Sequence, residues 1–298
     1  MKKKLIWAFT ALCLTALCLV MLNSCSSPLI DDGEDVGKVD VPTKKVTFKA
    51  SVYDRSAVSF TRAAVIDGCT RLTMVVFDAS GAKVFTSNQV STDTNFGTVQ
   101  CTLPYGSYRI VTIGHNGTGD VTVVSPENVG VPDGKVTDTF CAYNTLTVDE
   151  NLSGQQAIAM NRCVSRFELV ATDAIPADAA VMRVVAAGGG IALNPKTGLA
   201  VTTATQTKDI TIPANFVGNT NVTFFIYCFQ TEEPATMEFT YTAKNSAGTV
   251  VAERTFADVE MSINYVTRYT GSFFSHDGTV SAGVTINNEW GTAREFTF

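Results

Sequence analysis

The sequence predicts an all-β protein built from two consecutive antiparallel β-sandwich domains. Thr, Val, Ala, Gly and Phe dominate the chain, which has 18 Phe residues and only 17% charged residues, and such a composition is typical of β-structure. Apolar and polar residues alternate with a period of two in several segments, as they do in strands with one buried face. Turn sequences recur roughly every 8 to 12 residues, a spacing that favours sandwiches over βαβ units.

The first predicted strand begins at Lys44. From Val46 to Val52 every second residue is apolar and the residues between them are mostly polar, which indicates a half-buried strand. Leu72–Phe77 is a continuous apolar run that suits the core of a sandwich, and Asp78–Gly81 is a hairpin turn. Further strands are predicted at 84–85, 99–103, 108–113, 121–124, 165–171, 209–212, 222–229, 237–243, 250–256, 266–274 and 280–286.

A domain boundary is predicted near residue 152. Asp149–Gln155 is polar and turn-prone, so we expect an N-terminal sandwich over 44–152 and a C-terminal sandwich over 153–298. In the second domain, Asp173–Ala180 could hold one helical turn, and its acidic residues are interpreted as surface groups.

The chain opens with a pattern that predicts a lipoprotein signal peptide over 1–24. Lys2–Lys4 precede an apolar run, Leu5–Leu22, and a small residue, Ser24, precedes Cys25. This order is that of a secretory signal, and the final cysteine resembles the lipidated residue of bacterial lipoproteins. We therefore predict a lipid such as palmitate on Cys25 and an exported protein tethered at one end. The alternative is a transmembrane helix, since about 18 apolar residues nearly span a bilayer.

Residues 25–43 are predicted to form a flexible acidic tether. The segment contains the acidic run Asp31–Asp35 and few large apolar residues, and the run lacks the ligand spacing of a calcium loop. Once Lys2–Lys4 are removed, 19 basic residues face 28 acidic ones and the net charge is −9. A chain with this charge is not expected to bind nucleic acid.

The cysteines predict buried thiols and no metal site. Apart from Cys25 and the two in the signal, five remain, at positions 69, 101, 141, 163 and 228. An odd number leaves at least one outside any internal disulfide, and without a CxxC pair a zinc site is not expected. Cys101, Cys163 and Cys228 lie in apolar strand-like runs, which indicates burial.

No pattern of catalytic residues is found, so no catalytic site, metal or cofactor is predicted and the protein is not expected to be an enzyme. His115 and His276 both stand beside turn residues, which indicates exposed turn positions and not a catalytic dyad. Gly188–Gly190 precede Lys196, but Pro195 has no N–H for a phosphate. A bulge followed by a hairpin is the better interpretation of that segment.

Several motifs, in order, resemble the fimbrillin and fimbrial-anchor lipoproteins of Bacteroidetes, the subunits of type V pili. The likeness is carried by Ala159–Val170 with the Asp173–Pro176 turn, and by Phe60–Ala63, Leu103–Ile113 and Asn264–Phe274. This resemblance implies two transthyretin-like β-sandwich domains, a surface location on the cell outer membrane and a role in cell adhesion. It also implies that the protein assembles with other fimbrial subunits by strand exchange, which is β-strand addition.

The resemblance also implies a choice between anchor and stalk. Stalk subunits of this family are exported as lipoproteins and then cut after an arginine near the start of the first domain. Here Arg55 and Arg62 follow the first strand, and cutting after Arg62 would remove that strand together with the lipid on Cys25. An anchor or accessory subunit keeps its lipid and is the preferred interpretation. A protease-processed stalk fimbrillin is the alternative.

Two other questions stay open at this level. Glu295–Phe298 ends the chain with two same-face aromatic residues, and it could be donated to a partner or complete its own sandwich. A surface glycan-binding lipoprotein of a polysaccharide-uptake system would also fit two sandwiches and a tether. A host or bacterial surface ligand is a further candidate partner.

Overall fold

The structure is a computed structural model that describes residues 41–53, 63–64, 68–275 and 294–297. These residues belong to one compact unit, Val41–Phe298. The predicted signal peptide, the tether up to residue 40 and the predicted strand at 280–286 lie outside the described residues. In the described ranges no helix is long and apolar enough to cross a membrane.

Ten strands are found among the described residues of the first half of the chain. They are β1 (Thr43–Tyr53), β2 (Ala63–Ala64), β3 (Arg71–Phe77), β4 (Lys83–Val90), β5 (Thr98–Pro104), β6 (Gly106–His115), β7 (Thr122–Ser125), β8 (Asn128–Gly130), β9 (Thr139–Val148) and β10 (Gln155–Arg162). A 3-10 helix spans Pro132–Gly134. Eight of these strands make one sheet in the order β2-β1-β10-β9-β6-β3-β4, with β5 paired to β1.

The described part of the second half, residues 165–275 and 294–297, contains eleven strands. They are β11 (Ser165–Ala171), β12 (Val181–Ala187), β13 (Gly189–Gly190), β14 (Ala192–Asn194), β15 (Leu199–Ala200), β16 (Gln206–Thr211), β17 (Val222–Gln230), β18 (Ala235–Lys244), β19 (Val250–Met261), β20 (Val266–Gly271) and β21 (Arg294–Thr297). A 3-10 helix spans Ala214–Phe216. The strands build a five-stranded sheet, β13-β17-β11-β20-β21, and a four-stranded sheet, β16-β12-β18-β19.

The predicted all-β sandwich fold is confirmed. Among the described strands most pairs are antiparallel, and three are parallel: β1 with β10, β11 with β20, and β20 with β21. The division into two domains at residue 152 stays a prediction. Two features of the sheets concern the position of this boundary. Strand β10, which follows residue 152, belongs to the first sheet, and a small sheet, β15-β14-β8-β7, contains strands from both halves of the chain.

The continuous apolar run of β3 is explained by its two buried faces. Leu72, Met74 and Val76 face a core whose buried members come from the eight-stranded sheet and from Cys69 just before β3, so the sheet curls around that core. Val75 and Phe77 face the other way, into a second core shared with the small sheet. A strand covered on both sides needs apolar residues at consecutive positions, whereas β5, buried on one side, alternates as predicted.

A third core lies between the five-stranded and the four-stranded sheets. Phe167 of β11 is fully buried at its centre and stacks on Phe239, with ring centroids 4.1 Å apart and an angle of 8° between the ring planes. Tyr241, Phe256 and Tyr269 surround the same ring at tilted angles. The two inner faces of this sandwich are thus joined by aromatic contacts.

The helical turn considered for Asp173–Ala180 is not present. The segment contains only a turn, in which the Ala179 N–H donates to the Pro176 carbonyl at 3.2 Å. The Asp173 carboxylate, which could have capped a helix, instead accepts hydrogen bonds from residues 273–275. A contact between distant parts of the chain therefore replaces the local one.

Candidate functional site

The first strand, β1, is paired on both of its edges. It runs antiparallel to β5 over residues 43–49 and parallel to β10 over residues 47–53. Because the two pairings overlap at residues 47–49, β5 and β10 lie on opposite edges of β1. The short strand β2 pairs with β1 at Ser51 and Val52. In the described residues, β1 is therefore an interior strand of its sheet.

The inner face of β1 supplies part of the first core. Val46 and Phe48 have no exposed surface and Val52 is 2% exposed. These side chains pack in one cluster with residues of β3, β5, β6, β9 and β10. Loss of β1 would therefore remove a ladder partner from three strands, β2, β5 and β10, and uncover a groove lined by apolar side chains.

None of the predicted processing and lipidation residues is among the described residues. Cys25, Arg55 and Arg62 all lie outside the described residues, and so does His276. The residue that follows Arg62 is the first residue of β2, which pairs with β1. Lipidation at Cys25 and cleavage at Arg55 or Arg62 stay predictions.

Arg162 joins the first sheet to the second half of the chain. Its Nε and Nη2 atoms donate to the two carboxylate oxygens of Asp138, at 2.8 and 3.2 Å, and its Nη1 atom donates to Asn264 Oδ1 at 3.0 Å. The guanidinium group also lies over the Phe140 ring, 4.6 Å from the centroid. In the sequence, Arg162 stands out only as part of a motif that resembles the fimbrial family. Its role in joining the two halves was missed because its partners are 24 and 102 residues away.

A buried carboxylate lies on the five-stranded sheet. Glu168 of β11 is 1% exposed, and its Oε2 atom accepts a hydrogen bond from Arg268 Nε of β20 at 2.6 Å. Arg166 forms an ion pair with the other carboxylate oxygen, and its guanidinium group lies 4.4 Å from the centroid of the Phe225 ring. Two cations compensate the cost of burying this carboxylate. The sequence analysis missed this site. A signal was present, because Arg166 and Glu168 have opposite charges and are two residues apart in a strand, which places them on the same face.

The prediction that His115 is an exposed turn residue is wrong. His115 ends β6 opposite Thr139 of β9 and is only 2% exposed. Burial and the nearby Arg71 lower its pKa to about 4, although Asp120 acts in the opposite direction. Its Nδ1 atom accepts a hydrogen bond from the Gly117 N–H at 3.0 Å. The imidazole is thus neutral at pH 7 and tied to its own turn.

The described cysteines are buried, and no disulfide joins any two of them. They are Cys69, Cys101, Cys141, Cys163 and Cys228. The predicted burial of the thiols is therefore confirmed, and burial raises the pKa of Cys101 to about 11. Within the described ranges no group of three or more His, Cys, Asp or Glu residues could hold a metal ion.

The glycine-rich segment before Lys196 is part of the sheet packing. A Cβ atom on Gly190 would lie 2.5 Å from the Ala200 Cβ atom, and one on Gly189 would lie 2.7 Å from the Phe229 carbonyl oxygen. Close backbone packing therefore requires these glycines. Lys196 forms an ion pair with Glu127 at 3.3 Å, in the hairpin turn that the sequence predicted.

Asp173 connects the end of β11 to the chain that follows β20. Its carboxylate accepts hydrogen bonds from the N–H groups of residues 273–275 and from the Ser275 hydroxyl, at 2.9 Å for both the Phe273 N–H and that hydroxyl. Burial alone would raise the pKa of Asp173, but these donors outweigh it and lower the pKa below its usual value.

Replacing Asp173 with asparagine is expected to lower the melting temperature, most strongly near neutral pH. A carboxyl group with a lowered pKa stabilises the fold when ionised, and this stabilisation is lost as the pH falls through the folded-state value. In thermal unfolding, the difference between wild type and Asp173→Asn should therefore stay level from pH 7 to about pH 5 and shrink as the pH falls below about 4, the ordinary aspartate value. Asp178→Asn, at an exposed position of the same loop, is the control. A difference that stays constant with pH would contradict this account.

Fold and site together define a structural protein of stacked β-sheets whose first strand is held on both edges. The chain belongs to the family of fimbrillin-A associated anchor proteins Mfa1 and Mfa2, whose family model matches residues 45–295. It is therefore a structural subunit of a fimbrium at the cell surface. The family that the sequence motifs predicted is confirmed.

Solved structures are similar to this chain at low sequence identity. A proposed adhesin from Bacteroides ovatus is 10% identical with a TM-score of 0.50, over 74% of this chain and 79% of that chain, and it supports the fold. The fimbrial anchor protein Mfa2 from Porphyromonas gingivalis is 13% identical with a TM-score of 0.40, over 72% and 82%. The tip fimbrial protein Mfa3 from the same organism is 12% identical with a TM-score of 0.35, over 70% and 80%. None of the curated protein sequences matches the chain.

Proposed function

We propose that this chain is the lipid-anchored anchor or accessory subunit of a fimbrium, held in the outer membrane by a lipid on Cys25. The observation that carries the proposal is the position of β1 inside its sheet, paired with β5 and β10 and with Phe48 in the core. A chain that keeps β1 also keeps its covalent link to Cys25. The role is structural and not enzymatic.

Other fimbrial subunits are the proposed partners, and they join the protein by β-strand addition. Strand addition satisfies the backbone N–H and C=O groups of an open sheet edge, while alternate side chains select the partner. In the anchor, β1 occupies the position between β5 and β10. An added strand therefore pairs with a different edge of the protein. In a stalk subunit, removal of β1 would itself create the acceptor groove.

The mature protein on cells is expected to begin at Cys25 and to retain residues 25–62. Mass spectrometry of the protein released from outer membranes tests this directly. The variants Arg55→Ala and Arg62→Ala should leave the N-terminus unchanged, because neither arginine is cut in an anchor. A mature N-terminus at Ala63 would identify a processed stalk subunit instead.

The lipid is tested by palmitate labelling of the same cells. Cys25→Ala should abolish the label and release the protein from the membrane fraction, whereas Ser26→Ala, at the next position, should change neither. Membrane retention of unlabelled Cys25→Ala would contradict the lipid anchor.

A further inference from the structure

A pocket lies at the side of the second sandwich where the strands β16 and β17 border their sheets. Among the described strands, β16 pairs only with β12, and β17 pairs with β11 on one edge and with β13 only at residues 229 and 230 on the other. Segment 134–137 of the first half forms the third wall. The pocket has a volume of about 420 Å³, within the range of about 300–1,000 Å³ that is common for small-ligand sites.

Lys208 of β16 points inward, between the two sheets. It is opposite Val184 of β12, a core residue, and residues directly opposite in a ladder lie on the same face. Its Nζ atom donates to the Phe225 carbonyl oxygen of β17 at 2.8 Å and lies 4.2 Å from the centroid of the Phe225 ring. This bond uses one of the three N–H donors of the ammonium group, so a ligand in the pocket can accept from the others.

The lining of this pocket carries uncompensated positive charge. Lys208 and Lys135 both line it, and no ion pair between described residues includes either of them. Asp209 is the one acidic residue among the described lining residues, and Arg183 donates to its two carboxylate oxygens at 2.7 and 2.8 Å. Burial and the charge of Arg166 lower the pKa of Lys208, so a negative charge beside its ammonium group would be favourable.

We propose that this pocket binds a small organic acid, whose carboxylate pairs with the Lys208 ammonium group and whose ring lies against Tyr227 and Val136. A carboxylate supplies the missing counter-ion through charge-assisted hydrogen bonds, and the two side chains supply apolar surface. The recognised chemistry is a carboxylate on a ring, which a uronic-acid sugar and an aromatic acid both provide. This site goes beyond the proposed function and depends neither on a lipid at Cys25 nor on strand addition.

Calorimetric titration of the full-length chain in detergent tests the proposal with two acids, D-glucuronate and benzoate. At least one of them should bind saturably at one site, and its neutral counterpart, D-glucose or benzyl alcohol, should bind at least about tenfold more weakly, since a hydrogen bond to a charged group is lost. Binding of glucuronate identifies a sugar acid as the ligand class, and binding of benzoate alone identifies an aromatic acid. Binding of neither acid would overturn the proposal.

The role of Lys208 is tested by Lys208→Met, which should weaken binding of the acid at least about tenfold, and by Lys208→Arg, which keeps the charge and should lose less. Lys196→Met is the matched control, because it removes a lysine that does not line this pocket, and it should bind like wild type. Equal affinities of wild type and Lys208→Met, or equal losses in Lys208→Met and Lys196→Met, would contradict the proposal.

A second measurement needs no variant. Reductive methylation of Lys208 in the wild-type chain, followed by mass spectrometry of its peptide, should slow at least about tenfold when the acid saturates the site, because a bound carboxylate covers the ammonium group. Methylation of Lys196 should keep its rate. An unchanged rate at Lys208 would overturn the assignment of this lysine as the carboxylate-binding residue.

Discussion

Replacing Phe48 with alanine is expected to lower the free energy of unfolding by about 3–5 kcal/mol. Phe48 has no exposed surface and lies on β1, between Val99 of β5 and Gln156 of β10 in the pairing register. Its removal leaves a cavity in the core that the eight-stranded sheet encloses. Urea denaturation of the full-length chain measures the loss.

Lys49→Ala is the control for Phe48→Ala, because Lys49 is the next residue of β1 and is exposed. It should change the free energy of unfolding by less than about 0.5 kcal/mol. A loss below about 1 kcal/mol for Phe48→Ala would mean that β1 contributes little to the core. The structural argument for an anchor that keeps its first strand would then fail.

Replacing Phe167 with alanine is expected to cost a similar amount, about 3–5 kcal/mol. Phe167 joins the two sheets of the second half, since it pairs within the five-stranded sheet while its ring stacks on Phe239 of the facing sheet. The variant therefore loses buried area and the contacts between aromatic rings. A lower midpoint of urea denaturation, with an unchanged slope, is the expected result.

Phe216→Ala makes the same chemical change at a site that is 36% exposed. It should cost less than about 1 kcal/mol, because most of the cost at a buried site comes from the cavity. If the two variants were equally destabilised, the aromatic cluster around Phe167 would not be the centre of this core.

The strands could be predicted where their pattern is local. The alternation in β1 and β5 and the continuous apolar run of β3 follow from how many faces of each strand are covered, and the structure places all three as expected. Pairing partners were not predictable in this way. Nothing in the segments that form β1 and β10 indicates that they lie side by side in parallel, with more than a hundred residues between paired positions.

The misplaced residues share one physical cause. His115 stands beside turn residues and so was predicted to be exposed, yet the pairing of β6 with β3 and β9 buries it. Asp173 was interpreted as a surface acid, yet it receives hydrogen bonds from residues about one hundred positions away. Local polarity indicates how a residue behaves in a short segment and carries little information about distant partners.

The sequence by itself determined that this is an all-β fimbrial subunit, because alternation with a period of two is a property of the strand backbone and family motifs are local. Only the tertiary structure decided that β1 is an interior strand and that the buried Glu168 binds Arg268 of the neighbouring strand. These arrangements depend on backbone hydrogen bonds between distant strands. Such bonds use groups common to almost all residues, so the order of side chains along the chain does not specify them in advance.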